Sequence, residues 1–436
     1  MSSPTPLHRK AEQIAHAVAD KGGRALLVGG YVRDQLLGIV PKDADIEVYG
    51  LQAPILREVL MRLGRVDCVG ESFRVYKLVW HKSGERFELD VSLPRRDKKV
   101  GAGHKGFQVE GDPFASVEDA ARRRDFTLNA ILQDPLSGEI LDPFGGREDL
   151  EKRLLRAVDA AHFGEDSLRV LRAMQFAARF GLEIEPATVE ICRATPLDDL
   201  PRERIWGEWE KWLLKAPKPS LGLRVGGLIG VFARLFPYLE TAIARRGAEI
   251  EAALDGAARE KTGLARGKQV ALMLATLGSF LGWRDAQRLL DDLGIAKMRG
   301  ENGALDVKKV TIQLIGVRKT PRDFWARCET IEDKEFRFFA ARVEPDLALR
   351  LSRARGDFEA AKWFEENLRR LGVFDGPPPP LLLGRHLLEM GMKPGPHIGR
   401  IVERVYFMQL SGEVHSLEEA KAQAQAIKAA FEESEK

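Results

Sequence analysis

Two carboxylates separated by a single residue, Asp43 and Asp45, are the first feature of this chain that could do chemistry. The stretch 43–48 (DADIEV) alternates polar and apolar residues, the period of a half-buried strand, and residues i and i+2 of a strand face the same side. Paired carboxylates repel unless a cation sits between them, and Mg²⁺ favours one or two carboxylates together with phosphate oxygens. A two-metal arrangement would activate an attacking hydroxyl and stabilise a leaving pyrophosphate. A lone Asp-x-Asp is more often a solvated acidic face. Here it follows Leu26–Asp34 (LLVGGYVRD), where Gly29 and Gly30 separate an apolar run from a helical one. Glycines there let the backbone approach a phosphate, the helix N-terminus points N–H groups at it, and Arg33 adds positive charge.

A third carboxylate is available in Phe87–Val91 (FELDV), where alternation puts Glu88 and Asp90 on one face; its spacing to Arg95 favours Asp90. Next comes the basic segment 95–107 (RRDKKVGAGHKGF), with Arg95, Arg96, Lys98, Lys99 and Lys105 interleaved with glycines. It reads as a mobile cationic loop beside the site, or equally as a solvated one. Arg122–Ala130 (RRRDFTLNA) sets arginines, Arg124 among them, at the start of an apolar helix, suited to a triphosphate or RNA phosphate. In 164–176 (GEDSLRVLRAMQF), Glu165, Arg169 and Arg172 stand at i, i+4 and i+7 of a helix, with Asp166 three residues before Arg169. Such residues often form a surface salt bridge and nothing more. The sharper reading is base recognition. Asp accepts from the amino group that C and A carry on the Watson–Crick edge, and Arg donates to a ring nitrogen or carbonyl oxygen.

The elements that must position these groups divide the chain in two. Residues 7–22 read as a helix, 24–28 as an apolar strand, 31–37 as a short helix, and 73–80 and 85–93 as strands across a Lys82-Ser83-Gly84 turn. From about residue 147 the strand runs disappear, and helical patterns follow at 164–181, 201–214, 267–292 and 355–371. The run GPPPP at 376–380 is a rigid break. The architecture is α+β, a small mixed sheet with flanking helices followed by an all-helical remainder.

Composition excludes some classes and leaves others open. With 44% hydrophobic and 31% charged residues, the 436-residue chain reads as an ordinary globular protein of two to four domains. Lys and Arg number 68 against 65 Asp and Glu, so a nucleic-acid partner would need basic residues concentrated locally, as they are in the segments above. Three scattered cysteines, Cys68, Cys192 and Cys328, form no zinc or disulfide pattern. Without an apolar leader or a membrane-spanning run, the expected compartment is the cytoplasm.

GGYVRD with KDADIEV, then RRRDFTLNAI, LDPFGGREDL, GEDSLRVLRA and RERIWGEW, in this order across residues 28–212, resemble the class II tRNA nucleotidyltransferases and the related bacterial poly(A) polymerases. The resemblance implies a head like that of DNA polymerase β over residues 1–155. It also implies a helical neck over 156–220, a body over 221–372 and a tail over 380–436. It implies Mg²⁺ on Asp43 and Asp45 and triphosphate binding by Gly30, Arg33 and Arg124; the strand alternation adds Asp90 as a third catalytic candidate, and the glycine turn adds Gly29. Asp166 and Arg169 would read the base, oriented by Glu165, with Arg172 completing the nucleotide contacts. Gln175 stands where the family often has a further arginine.

The implied activity is addition of C, C and A to tRNA from CTP and ATP, the tail gripping the tRNA elbow. The basic segment matches a flexible loop that CC-only enzymes lack, so CC-only addition is disfavoured. The other readings are A-only addition, poly(A) polymerisation, or a non-catalytic RNA-binding relative. The acidic or neutral end AQAQAIKAAFEESEK favours tRNA over poly(A), and the intact Asp43, Asp45, Asp166 and Arg169 favour an enzyme. Some relatives carry a metal-dependent phosphohydrolase domain after the neck; residues 163–385 contain no histidine to serve one. No feature sets an oligomeric state.

Overall fold

The computed structural model describes residues 5–69, 75–82, 84–99, 107–295, 298, 305–316 and 320–434. The chain forms two compact units, Met1–Trp212 with Leu221–Leu235, and Leu213–Ser220 with Phe236–Lys436.

In the first unit, α1 (Pro6–Ala19) leads into β1 (Arg24–Val28), α2 (Gly30–Leu36), β2 (Asp45–Tyr49) and α3 (Ala53–Met61). Then come β3 (Arg65–Val69), β4 (Val75–Lys82) and β5 (Glu85–Ser92). A two-stranded ribbon, β6 (Arg95–Lys99) with β7 (Phe107–Gly111), precedes α4 (Val117–Arg122), β8 (Leu132–Gln133), β9 (Ile140–Leu141) and α5 (Gly146–Glu151). β10 (Leu154–Leu155), α6 (Ala160–Phe163), α7 (Leu168–Phe180), β11 (Glu183–Ile184) and α8 (Pro186–Ala194) follow, and then α9 (Arg202–Lys215), α10 (Pro219–Leu228) and α11 (Val231–Leu235).

The sheet has seven strands in the order β3-β4-β5-β2-β1-β8-β9. All its neighbours are antiparallel except β2 and β5, which run parallel, so the sheet is mixed as the sequence predicts. β1 sits inside the sheet and is buried from Ala25 to Val28. That is why it reads as an apolar run and not as an alternation. β2 does alternate: Ile46 and Val48 are fully buried, while Asp45 and Glu47 take the other face.

Past residue 147 the chain is nearly all helical, with one addition that the sequence does not signal. β10 and β11, two residues each, pair in parallel and lie on either side of α6 and α7. Residues 221–235, counted with the body on sequence grounds, pack in the first unit: Trp209 and Trp212 meet edge to face at 5.1 Å, and Trp209 meets Phe232 at 6.1 Å.

In the second unit every described secondary-structure element is a helix. The pattern over 267–292 predicts one helix, and two are found, Arg266–Gly278 and Trp283–Asp292. Gly282 adopts an extended ψ of 154° between them and starts the second helix afresh. The end of the chain has its own small core, with Leu387, Ile401, Val405, Ala420 and Ala424 nearly or fully buried. No helix among the described residues is long and apolar enough to cross a membrane.

Candidate active site

Three neighbouring strands bring the candidate residues into one row. Val28, the last residue of β1, pairs with Asp45 at the start of β2, and Asp45 pairs in parallel with Asp90 on β5. Partners in register share a face of the sheet, so Asp45 and Asp90 stand side by side. Val28 is followed directly by Gly29 and Gly30, so the glycine turn begins beside the carboxylates. Glu88, the other candidate on that face of β5, lies before the stretch that pairs with β2 and is bonded to Lys77 (3.1 Å) and Arg86 (3.2 Å).

Asp43 departs from the predicted position. The strand begins at Asp45, and Asp43 lies in the exposed segment leading into it, with Ala44 buried between. The residue that shares the face of Asp45 within β2 is therefore Glu47. Asp43 still acts on Asp45 through its charge. The protein packed around the Asp45 carboxyl, and then the charges of Asp90, Asp43 and Glu47, push it above the usual carboxylate range, against the pull of Arg124. Crowded hard oxygens of this kind fit a hard cation. No three of the His, Cys, Asp or Glu side chains among the described residues form a group that would hold a metal alone. Mg²⁺ here would need oxygens from a bound triphosphate, as it commonly does.

The glycine turn is built for close approach. Gly29 has φ of +63°, and a Cβ on it would lie 2.8 Å from the guanidinium of Arg124. Arg124 is thus at the turn. Its Nη2 donates to Glu47 at 2.5 Å, and its Nη1 to the Asn129 carbonyl at 3.3 Å. Sequence reasoning passed over Glu47, although the DADIEV alternation places it two residues after Asp45.

Arg33 is placed differently from its predicted role. It is 4% exposed, donates Nη1 to Asn129 Oδ1 at 2.6 Å and both Nε and Nη2 to Asp34 Oδ1, and lies over the rings of Phe176 and Phe180. Its guanidinium is turned into the protein and ties α2 to α7. Burial lowers its pKa, partly offset by Asp34.

Residues 123–129 are the hub of the site. Asn129 Nδ2 donates to Asp125 Oδ1 at 2.9 Å, and Arg172 Nε donates to Asp125 Oδ2 at 2.6 Å. Arg169 donates Nη2 to the Arg123 carbonyl at 2.6 Å and Nη1 to the His162 carbonyl at 3.0 Å. From the other side, Thr127 donates to Asp149 of α5 at 2.5 Å, and Arg156 Nε donates to the same carboxylate at 2.9 Å. Gly146 makes this packing possible, because a Cβ there would fall 2.2 Å from the Thr127 carbonyl oxygen.

The helix predicted over 164–181 begins only at Leu168. Glu165 and Asp166 lie in the turn between α6 and α7, and Asp166 Oδ1 accepts from the Leu168 N–H at 3.1 Å. A short acidic side chain satisfies the first free N–H groups of a helix better than it serves mid-helix, which explains the later start. Asp166 and Arg169 remain within one turn of each other, both half-buried. Arg172 is committed to Asp125. Gln175 is 1% exposed, inside the packed face of α7.

The basic segment predicted as a loop is a ribbon at both ends, Arg95 pairing with Gly111 and Lys99 with Phe107, because antiparallel pairing satisfies the backbone that a loop leaves to solvent. Arg95, Arg96, Lys98 and Lys99 lie on β6; Lys105 lies outside the described residues.

Residues 25–156, which hold the mixed sheet with its carboxylates in register and the glycine turn beside them, match the poly A polymerase head domain. The match to that domain covers a part of the chain. Among curated relatives, it is 39% identical over 221 residues to the multifunctional CCA protein of Xanthomonas campestris pv. campestris strain B100, covering 49% of this chain and 51% of that protein. It is 41% identical over 221 residues to the multifunctional CCA protein of Actinobacillus pleuropneumoniae serotype 5b, covering 49% and 50%. The chain thus spans about half the length of the curated relatives it matches.

Solved structures show the same fold over nearly the whole chain. The Bacillus stearothermophilus CCA-adding enzyme in complex with CTP aligns with a TM-score of 0.67 at 22% identity, covering 99% of this chain and 100% of that one. The Thermotoga maritima CCA-adding enzyme complexed with tRNA aligns with a TM-score of 0.61 at 22% identity, covering 98% and 96%.

Proposed function

We propose that this protein is a CCA tRNA nucleotidyltransferase, adding C, C and A to the 3′ end of tRNA from CTP and ATP without a nucleic-acid template and releasing pyrophosphate. The observation that carries the reading is the row Val28–Asp45–Asp90, with Gly29 and Gly30 continuing from its end. The relatives and fold neighbours named above support the choice of tRNA, CTP and ATP. Asp43 and Asp45 would hold Mg²⁺ with the triphosphate. The ion would supply Lewis-acid stabilisation of the developing charge. Asp90, in register beside Asp45, would take up the 3′-hydroxyl proton.

Gly29, Gly30 and Arg124 would receive the triphosphate, with Arg33 holding α2 in place from behind. Asp166 and Arg169, with Glu165 beside them, would select the base, and Arg172 would fix their helix. Residues 1–155 would catalyse, 156–220 select the base, 221–372 act as scaffold and 380–436 grip the tRNA elbow. Exposed Arg385, Lys393, Arg400 and Arg404 suit the last role. The substrate sets the activity in the cytoplasm.

The test supplies tRNA lacking CCA and tRNA ending in CC with each nucleotide in turn, and reads product length. Extension by C, C and A upholds the proposal. A single A added only to tRNA ending in CC makes the protein an A-adding enzyme, and long A tails make it a poly(A) polymerase.

A further inference from the structure

A continuous chain of buried polar contacts joins the glycine turn to the base-selecting helix. Arg33, three residues into α2, donates to Asn129; Asn129 donates to Asp125; Arg172, on the second turn of α7, donates to the far oxygen of the same carboxylate. Each link is 2.9 Å or shorter. Arg33, Asn129 and Asp125 are 4%, 6% and 7% exposed, so water does not compete for the first two bonds, while Arg172 closes the chain from a part-buried position. Both guanidiniums lie over the same ring, Phe176, with Arg33 5.3 Å and Arg172 4.9 Å from its centroid. The two helices therefore share a polar strut on one side and an aromatic wedge on the other.

Asn129 is the joint of this strut, and its chemistry explains why an amide is there. Its oxygen must accept from a guanidinium while its nitrogen donates to a carboxylate, and asparagine carries both functions two bonds from the backbone. Its main-chain carbonyl also accepts from Arg124, the arginine against Gly29. One residue thus contacts the arginine at the phosphate turn, the arginine that anchors α2, and the carboxylate that anchors α7.

We infer that Asn129 is a positioning residue for base selection. It fixes the angular setting of α7, and with it Asp166 and Arg169, relative to the turn that receives the triphosphate. The inference rests on the function proposed above. A base held by Asp166 and Arg169 and a triphosphate held at Gly29 belong to one nucleotide, so discrimination depends on the spacing of their two supports. Loosening the joint lets α7 shift to accept a wrong base, while the carboxylates on β2 and β5 stay where they are.

The experiment uses the full chain with Asn129→Asp and Asn129→Ala. The first keeps the acceptor for Arg33 but sets a carboxylate against Asp125. The second leaves room for a water and keeps the question open to test if the first misfolds. Two readouts are taken: kcat/KM for CTP over UTP on tRNA lacking CCA, and equilibrium binding of CTP and UTP by calorimetry. The expected result is a fall of about tenfold or more in the CTP over UTP ratio in both readouts, the scale on which misplaced supports act. A ratio that survives while rate or melting temperature drops overturns the inference and leaves Asn129 a structural anchor only. If the unaltered chain neither binds nor incorporates any nucleoside triphosphate, the proposed function falls and this inference with it.

Discussion

Asp45 and Asp90 face each other in register across the parallel strands β2 and β5. Asp90 is also 3.9 Å from Lys77, and its side chain is 44% exposed, so it is open to a substrate hydroxyl and held by one cation. Asp90→Asn keeps the shape and removes the proton acceptor. Single-turnover extension should slow by about 10² or more, the usual weight of general-base assistance, with tRNA affinity unchanged. A variant with the parent rate would remove Asp90 from the chemistry.

Asp166 caps a helix in the structure and is proposed above to select the base, and two substitutions separate the two roles. Its side chain accepts from the Leu168 N–H, so Asp166→Ala should cost about 1 kcal/mol of stability through the lost cap. Asp166→Asn keeps a capping oxygen. Both should lose discrimination of C and A against U and G by roughly tenfold to a hundredfold, measured as ratios of kcat/KM, because each removes the carboxylate. Equal loss for all four nucleotides would make the residue a cap alone.

The Arg172–Asp125 pair couples stability to acid. Burial alone would raise the Asp125 carboxyl, but Arg172, Asn129 and the Phe126 N–H outweigh it and hold it below the usual carboxylate range. A depressed native pKa contributes stability that is fully present above the unfolded value of about 3.9 and is lost as pH falls through the native value. Urea unfolding of the parent should therefore weaken below about pH 4, and Asp125→Asn should lack that part of the acid limb. Arg172→Met leaves the carboxylate buried and unpaired, and should cost about 3–5 kcal/mol at neutral pH.

Lys261 works in the opposite direction. It is 9% exposed, donates to the Leu213 carbonyl at 2.8 Å, and burial lowers its pKa to about 8. Between pH 8 and the unfolded value of about 10.5 the unfolded chain binds more protons, so raising the pH across that window stabilises the fold. The gain should be on the order of 1–2 kcal/mol relative to Lys261→Met, followed by urea unfolding at several pH values. Parallel profiles for parent and variant would show that the lysine titrates normally.

Much of the site is legible in sequence because it is local. The β1 strand follows from its apolar run, the glycine turn from two adjacent glycines, and the Asp45–Glu47 face from alternation. Asp90 follows from the same alternation, but its place beside Asp45 comes from strand order, which no local pattern carries. The reading of Arg33 as a phosphate ligand followed its position at a helix start. The structure turns it inward because Asn129, Phe176 and Phe180, all remote in sequence, offer a buried acceptor and two ring faces. The late start of α7 was open to detection, since a Gly-Glu-Asp-Ser run is a cap signal as much as a helix interior.

In the proposed function, the carboxylates in register on β2 and β5 serve nucleotide transfer to tRNA. Its most direct test is extension of a tRNA lacking CCA by the parent chain and by Asp45→Asn, with CTP, ATP and Mg²⁺, reading product length and pyrophosphate together with tRNA binding. The parent should add three nucleotides and release one pyrophosphate for each. The variant should add none, at equal tRNA affinity and equal melting temperature. Extension by Asp45→Asn at the parent rate would contradict it.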